Sequence, residues 1–230
     1  MTLDIRVVPD PAAEVAEVLV DIACAGGHMA LAGGSTPKRA YALAAQSDAD
    51  LSAATLWLGD ERMVPPDDER SNVGMIRATL TDALPAERRP QLMPIDTSLE
   101  PGAAAAYDAL LRQTLGHHPR LDLALMGLGP DGHTASLFPG KAAVGESHRF
   151  AIGVPEPGME PFVPRVTLTL AIFNTAREVV FLVAGADKAT AVRRAFGNPP
   201  DETAPAALVR PGAGTLVVVL DEAAAAELDR

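Results

Sequence analysis

Cysteine is almost absent from this chain, and long apolar runs are absent altogether. The single cysteine, Cys24, excludes an internal disulfide and a multi-cysteine zinc site. No apolar segment approaches the roughly 20 residues that span a bilayer, and Asp4 stands where a secretory signal would place its basic and then apolar region. The five histidines show no metal-binding spacing such as His-Glu-x-x-His. We therefore expect a protein of the reducing cytoplasm that contacts no membrane and holds no metal.

Positive charge is also scarce. The 230 residues include 19 lysines and arginines against 30 aspartates and glutamates, which gives a formal net charge of −11. Double-stranded DNA is bound mainly through cations that neutralise its phosphates, so we expect no nucleic-acid partner. Hydrophobic residues make up 48% of the chain, close to the globular average, and a chain of this length can bury a sizeable core. Wholesale disorder is therefore excluded.

Short apolar runs alternate with helical patterns along most of the chain. The predicted strands are residues 5–8, 29–32, 55–59, 91–95, 121–126, 166–170, 178–184 and 216–220. The predicted helices are residues 37–45, 71–80, 101–115, 187–196 and 222–228, with a further helix from Pro11 to the glycine pair at 26–27. Such alternation predicts an α/β fold with a modified Rossmann-like, doubly wound and mostly parallel sheet covered by helices on both faces.

We expect a single domain over residues 1–230, with space for a small lobe inserted near the middle. The proline-rich stretches 155–164 and 198–205 are predicted loops rather than domain linkers. In open sheets of this class, ligands bind beyond the carboxyl ends of the strands. We therefore expect the functional site in segments that directly follow predicted strands.

The first such segment combines glycines, hydroxyl residues and a proline, Gly33-Gly34-Ser35-Thr36-Pro37. Glycines let backbone N–H groups approach a ligand closely, and the start of a helix offers free donors and a partial positive charge. The segment is therefore a candidate phosphate site, to which Ser35 and Thr36 add hydroxyl donors. The alternative is a tight turn in which Thr36 only caps the helix. A Walker loop is excluded because Gly-Lys-Ser/Thr is missing.

The second segment places charge at a strand end, where Asp60-Glu61-Arg62 is followed by Ser71-Asn72. An arginine beside carboxylates stays oriented and can donate to an oxyanion or a hydroxyl. The alternative is a solvated loop with local ion pairs.

The third segment, residues 126–139, contains Gly-x-Gly-x-x-Gly directly after a predicted strand. The dinucleotide fingerprint needs these glycines to open a long helix, with an acidic residue about 20 positions on. Here Pro130 interrupts and only a short helix fits before Pro139, so no nicotinamide cofactor is expected. The stronger feature is Asp131 two residues before His133, because a histidine can take a proton from water while a carboxylate fixes its tautomer. The alternative is a loop histidine bonded to a backbone carbonyl.

Two further cations lie next to predicted strands. Arg165 leads the predicted strand 166–170, where threonine alternates with apolar residues and one wetter face is expected, and Lys188 follows a strongly apolar strand. A phosphate monoester is nearly dianionic at neutral pH, so an acidic protein must gather local cations to bind it. The alternative for each residue is an ordinary surface charge.

Together these segments resemble the 6-phosphogluconolactonase family of the sugar-phosphate isomerase/deaminase-like superfamily. The resemblance rests on motifs in the family's order, at residues 32–37, 59–62 with 71–72, 127–139, 165–169 and 185–189. It implies a modified doubly wound α/β fold and no cofactor. The implied activity is hydrolysis of a small sugar-phosphate lactone, 6-phospho-D-glucono-1,5-lactone, to 6-phospho-D-gluconate in the oxidative pentose phosphate pathway.

Glucosamine-6-phosphate deaminases are similar at the glycine turn and the Asp-Gly-His segment, and they are the first alternative. They carry Asn-Glu-Pro where this chain has Leu137-Phe138-Pro139, and an aromatic where it has Arg62. Both differences favour the lactonase, although Arg70 stands where lactonases commonly carry an acid. A second alternative is a non-catalytic sugar-phosphate sensor, but neither terminus has the room or the basic charge for a DNA-binding module.

The expected mechanism needs neither a covalent nucleophile nor a metal. His133 takes a proton from the water that attacks C1, Asp131 orients the imidazole, and Arg62 or nearby backbone donors stabilise the oxyanion. The expected substrate-binding residues are Gly34, Ser35, Thr36, Asp60, Asn72, Arg165 and Lys188. Among them, the phosphate contacts are Ser35, Thr36, Arg165 and Lys188, and Asn72 contacts sugar hydroxyls. We expect a monomer, or at most a weak dimer.

Overall fold

A computed structural model describes residues 2–116 and 118–228 of the chain. The strands in chain order are β1 (Thr2–Val7), β2 (His28–Leu31), β3 (Thr55–Leu58), β4 (Asp60–Arg62), β5 (Gln91–Met93), β6 (Leu123–Met126), β7 (Ala151–Val154), β8 (Arg165–Leu168), β9 (Glu178–Val183) and β10 (Thr215–Leu220). Seven of them form a sheet of order β1-β10-β9-β6-β2-β3-β5. All its pairings are parallel, which confirms the predicted doubly wound α/β class.

The α-helices are α1 (Pro11–Cys24), α2 (Ser35–Ala45), α3 (Asn72–Ile76), α4 (Ala103–Leu115), α5 (Leu170–Phe173) and α6 (Ala189–Phe196). A π-helical turn, Arg77–Thr81, continues α3, and short 3₁₀ helices lie at Ala86–Arg88, Thr97–Leu99, Ala142–Gly145, Ala186–Lys188 and Pro205–Leu208. Within the described ranges, no helix has both the length and the apolar character that crossing a bilayer requires.

Local sequence explains where the first helix begins and what it buries. The carboxylate of Asp10 accepts a hydrogen bond from the Ala13 N–H, and Pro11 occupies the first helical position, where its missing N–H costs nothing. Val15 and Leu19 recur at helical spacing and are buried. The helix therefore packs an apolar face inward, as its sequence pattern predicts.

The strand order reverses at the middle of the parallel sheet. From β2 the chain moves outward to β3 and β5, and it then returns to place β6 on the other side of β2. All four residues of β6 are buried, so both faces of the sheet are covered at this point. The loops after β2 and β6 diverge at this reversal, and they form the crevice in which such sheets bind ligands.

A second, three-stranded sheet lies outside the predicted pattern. Its order is β4-β8-β7, and both pairings are antiparallel. We expected residues 166–170 to form a strand with one wetter face, but Arg165–Leu168 is buried throughout. The loop after β6 covers this strand, and its Ser136 N–H donates to the Thr167 hydroxyl at 3.1 Å.

Three further predictions differ from the structure. Residues 222–228 form turns rather than a helix, since a segment this short is marginal as a helix and the Asp221 carboxylate ties it to the Gly185 N–H as well as to Ala224. Residues 128–139 contain turns and one isolated bridge, Thr134 with Leu137, but no helix. Helix α2 begins at Ser35, two residues earlier than predicted.

Candidate active site

A cleft of about 260 Å³ opens at the reversal point of the sheet. The loops that follow β2, β6 and β9 border it, together with β4 and β8 of the second sheet. The predicted site residues that line it are Gly34, Ser35, Thr36, Asp60, Arg62, His133, Arg165 and Lys188. Asp131 and Asn72 lie behind this lining and bond to residues within it. The structure thus brings together segments that are more than 150 residues apart in the chain.

Asp131 and His133 form a hydrogen-bonded pair at the edge of this cleft. The Asp131 Oδ1 lies 2.6 Å from the His133 Nδ1 and also accepts the His133 backbone N–H at 3.0 Å. Burial alone would raise the pKa of Asp131, but the hydrogen bonds and charge of His133 outweigh it and the pKa lies below its ordinary value. An ionised carboxylate at Nδ1 keeps a proton on that nitrogen and leaves Nε2 free to accept one.

The His133 ring is fixed by its neighbours as well as by Asp131. The Phe138 ring packs against it with 4.7 Å between centroids. A Cβ atom at Gly129 would overlap the imidazole, so only glycine leaves room for the ring. Thr134 donates from its hydroxyl to the Gly127 carbonyl at 2.8 Å and closes the loop beneath. These contacts preorganise the imidazole, which is what a general base requires.

The glycine turn after β2 presents a free helix start to the cleft. Gly34 has φ of +108°, a backbone conformation that glycine tolerates and other residues rarely adopt. No side chain caps α2, and Ser35 and Thr36 are its first helical residues. Thr36 is therefore not the helix cap that the alternative interpretation required. Uncapped N–H groups and the helix dipole at this position suit an anion such as a phosphate.

Two arginines face each other across the antiparallel pair β4–β8. Arg62 and Arg165 are direct partners in the ladder, where like charges normally destabilise a sheet. The Arg165 guanidinium is buried and donates to the carbonyls of Met159 and Pro161, each at 3.1 Å. Both arginines retain a buried Nε without a hydrogen-bond partner. Burial lowers the pKa of Arg165, Asp60 opposes this, and the Arg62 charge lowers the pKa further.

Asp60 is buried and its carboxylate is already engaged. Its Oδ2 accepts from the Ser136 hydroxyl at 2.6 Å, and its Oδ1 accepts from the Asn72 amide at 3.0 Å. Its Oδ2 also lies 4.0 Å from Arg165 Nη1. Asp60 therefore anchors the neighbouring polar groups at the wall of the cleft.

Asn72 is also buried and does not line the cleft. Its amide donates to the backbone carbonyl and the carboxylate of Asp60. Its side chain occupies the space that a Cβ at Gly33 would need. The structure thus gives Asn72 a place beneath the glycine turn, where it joins that turn to β4.

Glu61 is a buried carboxylate that the sequence pattern did not single out, although it stands inside the Asp60-Glu61-Arg62 motif. Its carboxylate is fully buried and accepts the backbone N–H groups of Arg62, Asn72 and Val73, each at 2.7 Å. Burial raises the pKa of Glu61 above its ordinary value, although these hydrogen bonds oppose the shift. Glu61 thus joins the strand that carries Arg62 to the start of α3.

Lys188 lines the cleft from the segment that follows β9. It is the residue before α6, and its Nζ lies 3.4 Å from the Asp187 carboxylate. The side chain is one-quarter exposed, so its ammonium can still meet a ligand. Among the described residues, no group of three or more histidine, cysteine or acidic side chains could hold a metal ion.

The fold and the cleft together define a class of protein. It is a doubly wound α/β protein with a histidine–carboxylate pair and an uncapped helix start at the reversal point of its sheet. The family model of glucosamine-6-phosphate isomerases/6-phosphogluconolactonase matches residues 8–218, and the chain belongs to this family. The family predicted from the motifs is therefore confirmed.

Individual relatives agree with the family model. The 6-phosphogluconolactonase of Homo sapiens is 38% identical over 187 residues, which are 80% of this chain and 72% of the relative. That of Streptomyces coelicolor is 39% identical over 191 residues, 79% of this chain and 72% of the relative. The solved 6-phosphogluconolactonase from Trypanosoma brucei superposes with a TM-score of 0.84 at 32% identity, covering 99% of this chain and 98% of its own. A monomeric glucosamine-6-phosphate deaminase shares the fold, with a TM-score of 0.74 at 17% identity over 99% of this chain and 100% of its own.

Proposed function

We propose that this chain is an enzyme that hydrolyses 6-phospho-D-glucono-1,5-lactone to 6-phospho-D-gluconate, a step of the oxidative pentose phosphate pathway. The observation that carries the proposal is that His133, bonded to Asp131, lines the same cleft as the free start of α2. A base and an anion site in one cleft suit a substrate with a reactive carbonyl at one end and a phosphate at the other. The relatives described above are named for this activity.

His133 acts as general base and then as general acid. Its Nε2 takes a proton from a water molecule as the water oxygen bonds to C1 of the lactone. The oxyanion that forms then reverts to a carbonyl, the bond between C1 and the ring oxygen breaks, and the imidazolium returns its proton to that oxygen. Asp131 orients the ring and stabilises its charged form. No covalent intermediate is needed because the lactone carbonyl is already electrophilic.

Cations and backbone donors supply the rest of the chemistry. Arg62 stabilises the oxyanion, and the turn at Ser35 and Thr36 binds the phosphate with Arg165 and Lys188. Anchoring the phosphate orients C1 at the other end of the substrate. General base catalysis typically supplies roughly 10²–10⁴-fold, and a good oxyanion donor about 10²–10³-fold. These two contributions suffice for an ester that also hydrolyses slowly unaided.

The polar residues behind the lining support this arrangement. Asp60 lies 4.0 Å from the Arg165 guanidinium, and Asn72, which donates to Asp60, packs beneath Gly33 of the glycine turn. Gly34 allows the backbone to bend so that its N–H groups face the phosphate. Phe138, where deaminases carry a catalytic glutamate, packs its ring on His133. An apolar side chain at this position cannot assist the opening of a sugar ring.

A coupled assay tests the proposal directly. Glucose-6-phosphate dehydrogenase generates the lactone, and the decay of the lactone is followed with and without the protein. We expect decay well above the spontaneous rate, with no ammonia released from glucosamine 6-phosphate. Lactone decay at the spontaneous rate would refute the proposal, and ammonia release would replace it with a deaminase.

The location of the enzyme is part of the same proposal. Cys24 is exposed and unpaired, which suits a reducing compartment, so we place the reaction in the cytoplasm. The oligomeric state stays a prediction of a monomer or weak dimer, which light scattering on the purified protein would measure.

A further inference from the structure

Arg194 of α6 contacts the backbone of the turn that carries the histidine–carboxylate pair. Its Nη1 donates to the Asp131 carbonyl oxygen at 2.9 Å. Its Nε donates to the Asp201 carboxylate at 2.8 Å, and its Nη2 donates to the Thr203 hydroxyl at 3.1 Å. The guanidinium thus bridges the turn at Asp131 to the loop that follows α6. Arg194 does not line the cleft, so it is not placed to touch the substrate.

The loop after α6 fixes the same turn through a second set of contacts. The Ala206 N–H donates to the Gly132 carbonyl at 3.1 Å. Gly132 has φ of +87°, and a Cβ there would collide with the Ala204 side chain. The side-chain and backbone contacts therefore hold two successive peptides, Asp131–Gly132 and Gly132–His133, and these join the two residues of the pair.

The Asp201 side of this bridge is ionised over the physiological pH range. Hydrogen bonds from Thr203 and then from Arg194 lower the pKa of Asp201 to about 2. An ionised Asp201 holds the guanidinium in one orientation, and charge-assisted hydrogen bonds are roughly twice as strong as neutral ones. The remaining guanidinium donor is thereby aimed at the Asp131 carbonyl rather than at solvent.

We infer that Arg194 is a positioning residue for the reaction, which acts by fixing the Asp131 peptide so that the carboxylate meets His133 Nδ1. The inference rests on the proposed function, since it assigns Arg194 an effect on the step that His133 performs. Removing the guanidinium leaves the Asp131 carbonyl without its donor and frees the turn to rotate. A displacement of about 1 Å in a catalytic group can cost about 10²-fold in rate.

The adjacent residue provides a matched control. Arg193 lies on the same helix but pairs with Glu227 at 3.2 Å, away from the turn. Arg193→Ala removes an exposed ion pair of the same chemical type, and such pairs contribute little to stability. Any effect that comes only from weakening α6 or from losing one positive charge should therefore be seen in Arg193→Ala as well as in Arg194→Ala.

The experiment measures lactone hydrolysis for Arg194→Ala, Arg194→Lys and Arg193→Ala, with the spontaneous rate subtracted. We expect Arg194→Ala to lower kcat by roughly 10- to 100-fold and to leave KM within about twofold, because the phosphate contacts are untouched. Lysine restores one donor and should recover part of the loss, while Arg193→Ala should match the wild-type protein. Unchanged kcat in Arg194→Ala, or a loss confined to KM, would overturn the inference.

A second measurement separates positioning from general loosening of the fold. Arg194→Ala is combined with His133→Ala, and residual hydrolysis is compared with that of His133→Ala alone. A residue that acts through the imidazole has nothing left to position, so we expect less than twofold further loss. A further loss equal to that in the wild-type background would overturn the inference. An inactive wild-type protein would instead refute the proposed function. In that case, the low-field NMR resonance of the proton shared by Asp131 and His133 would still report whether Arg194→Ala disturbs the pair.

Discussion

Adding one methyl group at Gly129 should lower turnover by displacing the His133 ring. Gly129 lies in the loop after β6, where its N–H donates to the His133 carbonyl at 2.8 Å. Its φ does not lie in the left-handed region, so alanine fits the backbone there. The Cβ that alanine adds would nevertheless overlap the His133 ring at Nδ1 and Cε1. Either the ring or the loop must move, and that same nitrogen donates the hydrogen bond to the Asp131 carboxylate.

The size of the effect follows from the required displacement. A ring that moves by about 1 Å leaves its productive geometry, which costs about 10²-fold in kcat. Overpacking of a well-packed site costs typically about 1–3 kcal/mol in the free energy of unfolding. For a chain of this size, each kcal/mol lowers Tm by about 2–4 °C, so Gly129→Ala should unfold about 2–12 °C below the wild-type protein. The variant therefore stays folded at assay temperature while it loses activity.

Steady-state hydrolysis of the lactone, together with thermal unfolding, checks this prediction. Gly145→Ala is the control, because a Cβ there meets nothing within 4 Å and the position lies outside the cleft. We expect wild-type kcat in the control and a decrease confined to kcat in Gly129→Ala. A Gly129→Ala variant with wild-type turnover would refute the assignment of His133 as a positioned base, since the overlap is relieved only by moving the ring or the loop that carries it.

Three further perturbations probe other parts of the account. His133→Ala should lower kcat by more than about 100-fold, within the range for a general base, while circular dichroism shows an intact fold; a rate near that of the wild-type protein would contradict its role. Lys188→Ala should mainly raise KM for the phosphorylated lactone, and an unchanged KM would exclude a phosphate contact. Asp201→Asn should be less stable than the wild-type protein near pH 6. Folding lowers the pKa of Asp201 to about 2, so its stabilising contribution exists above its unfolded pKa and is lost as pH falls toward 2. In urea unfolding, the difference in free energy of unfolding between Asp201→Asn and the wild-type protein should therefore shrink between about pH 4 and pH 2. A difference that stays constant with pH would contradict a stabilising ion pair at Asp201.

Local patterns predicted the parallel sheet well, because buried parallel strands are continuous apolar runs that stand out in a sequence. Residues 178–184 and 121–126 were predicted from their composition alone, and strands β9 and β6 lie there. In the second sheet, β8 was predicted at residues 166–170, but β4 and β7 were missed because they carry no such signal. Asp60–Arg62 is three charged residues, and Ala151–Val154 contains a glycine. The pairing of β4 with β8 joins segments about 100 residues apart in the chain, which periodicity cannot reveal.

The site shows the same division between local and long-range information. His133 and Asp131 are two residues apart, so their pairing could be predicted from spacing. The place of Asn72 beneath Gly33 depends on tertiary packing, and no spacing rule predicts it. Arg194 was indistinguishable from Arg193 in the sequence. Only the structure shows that one meets the Asp131 carbonyl and the other meets Glu227.

The most direct test of the central claim is a crystal structure of the protein with 6-phospho-D-gluconate bound. The account predicts that the C1 carboxylate lies within hydrogen-bond reach of His133 Nε2, directly or through one water. It also predicts that the phosphoryl group meets the N–H groups at Ser35 and Thr36, together with Lys188. A product molecule whose phosphoryl group sits at His133, or whose C1 points away from the imidazole, would contradict the account.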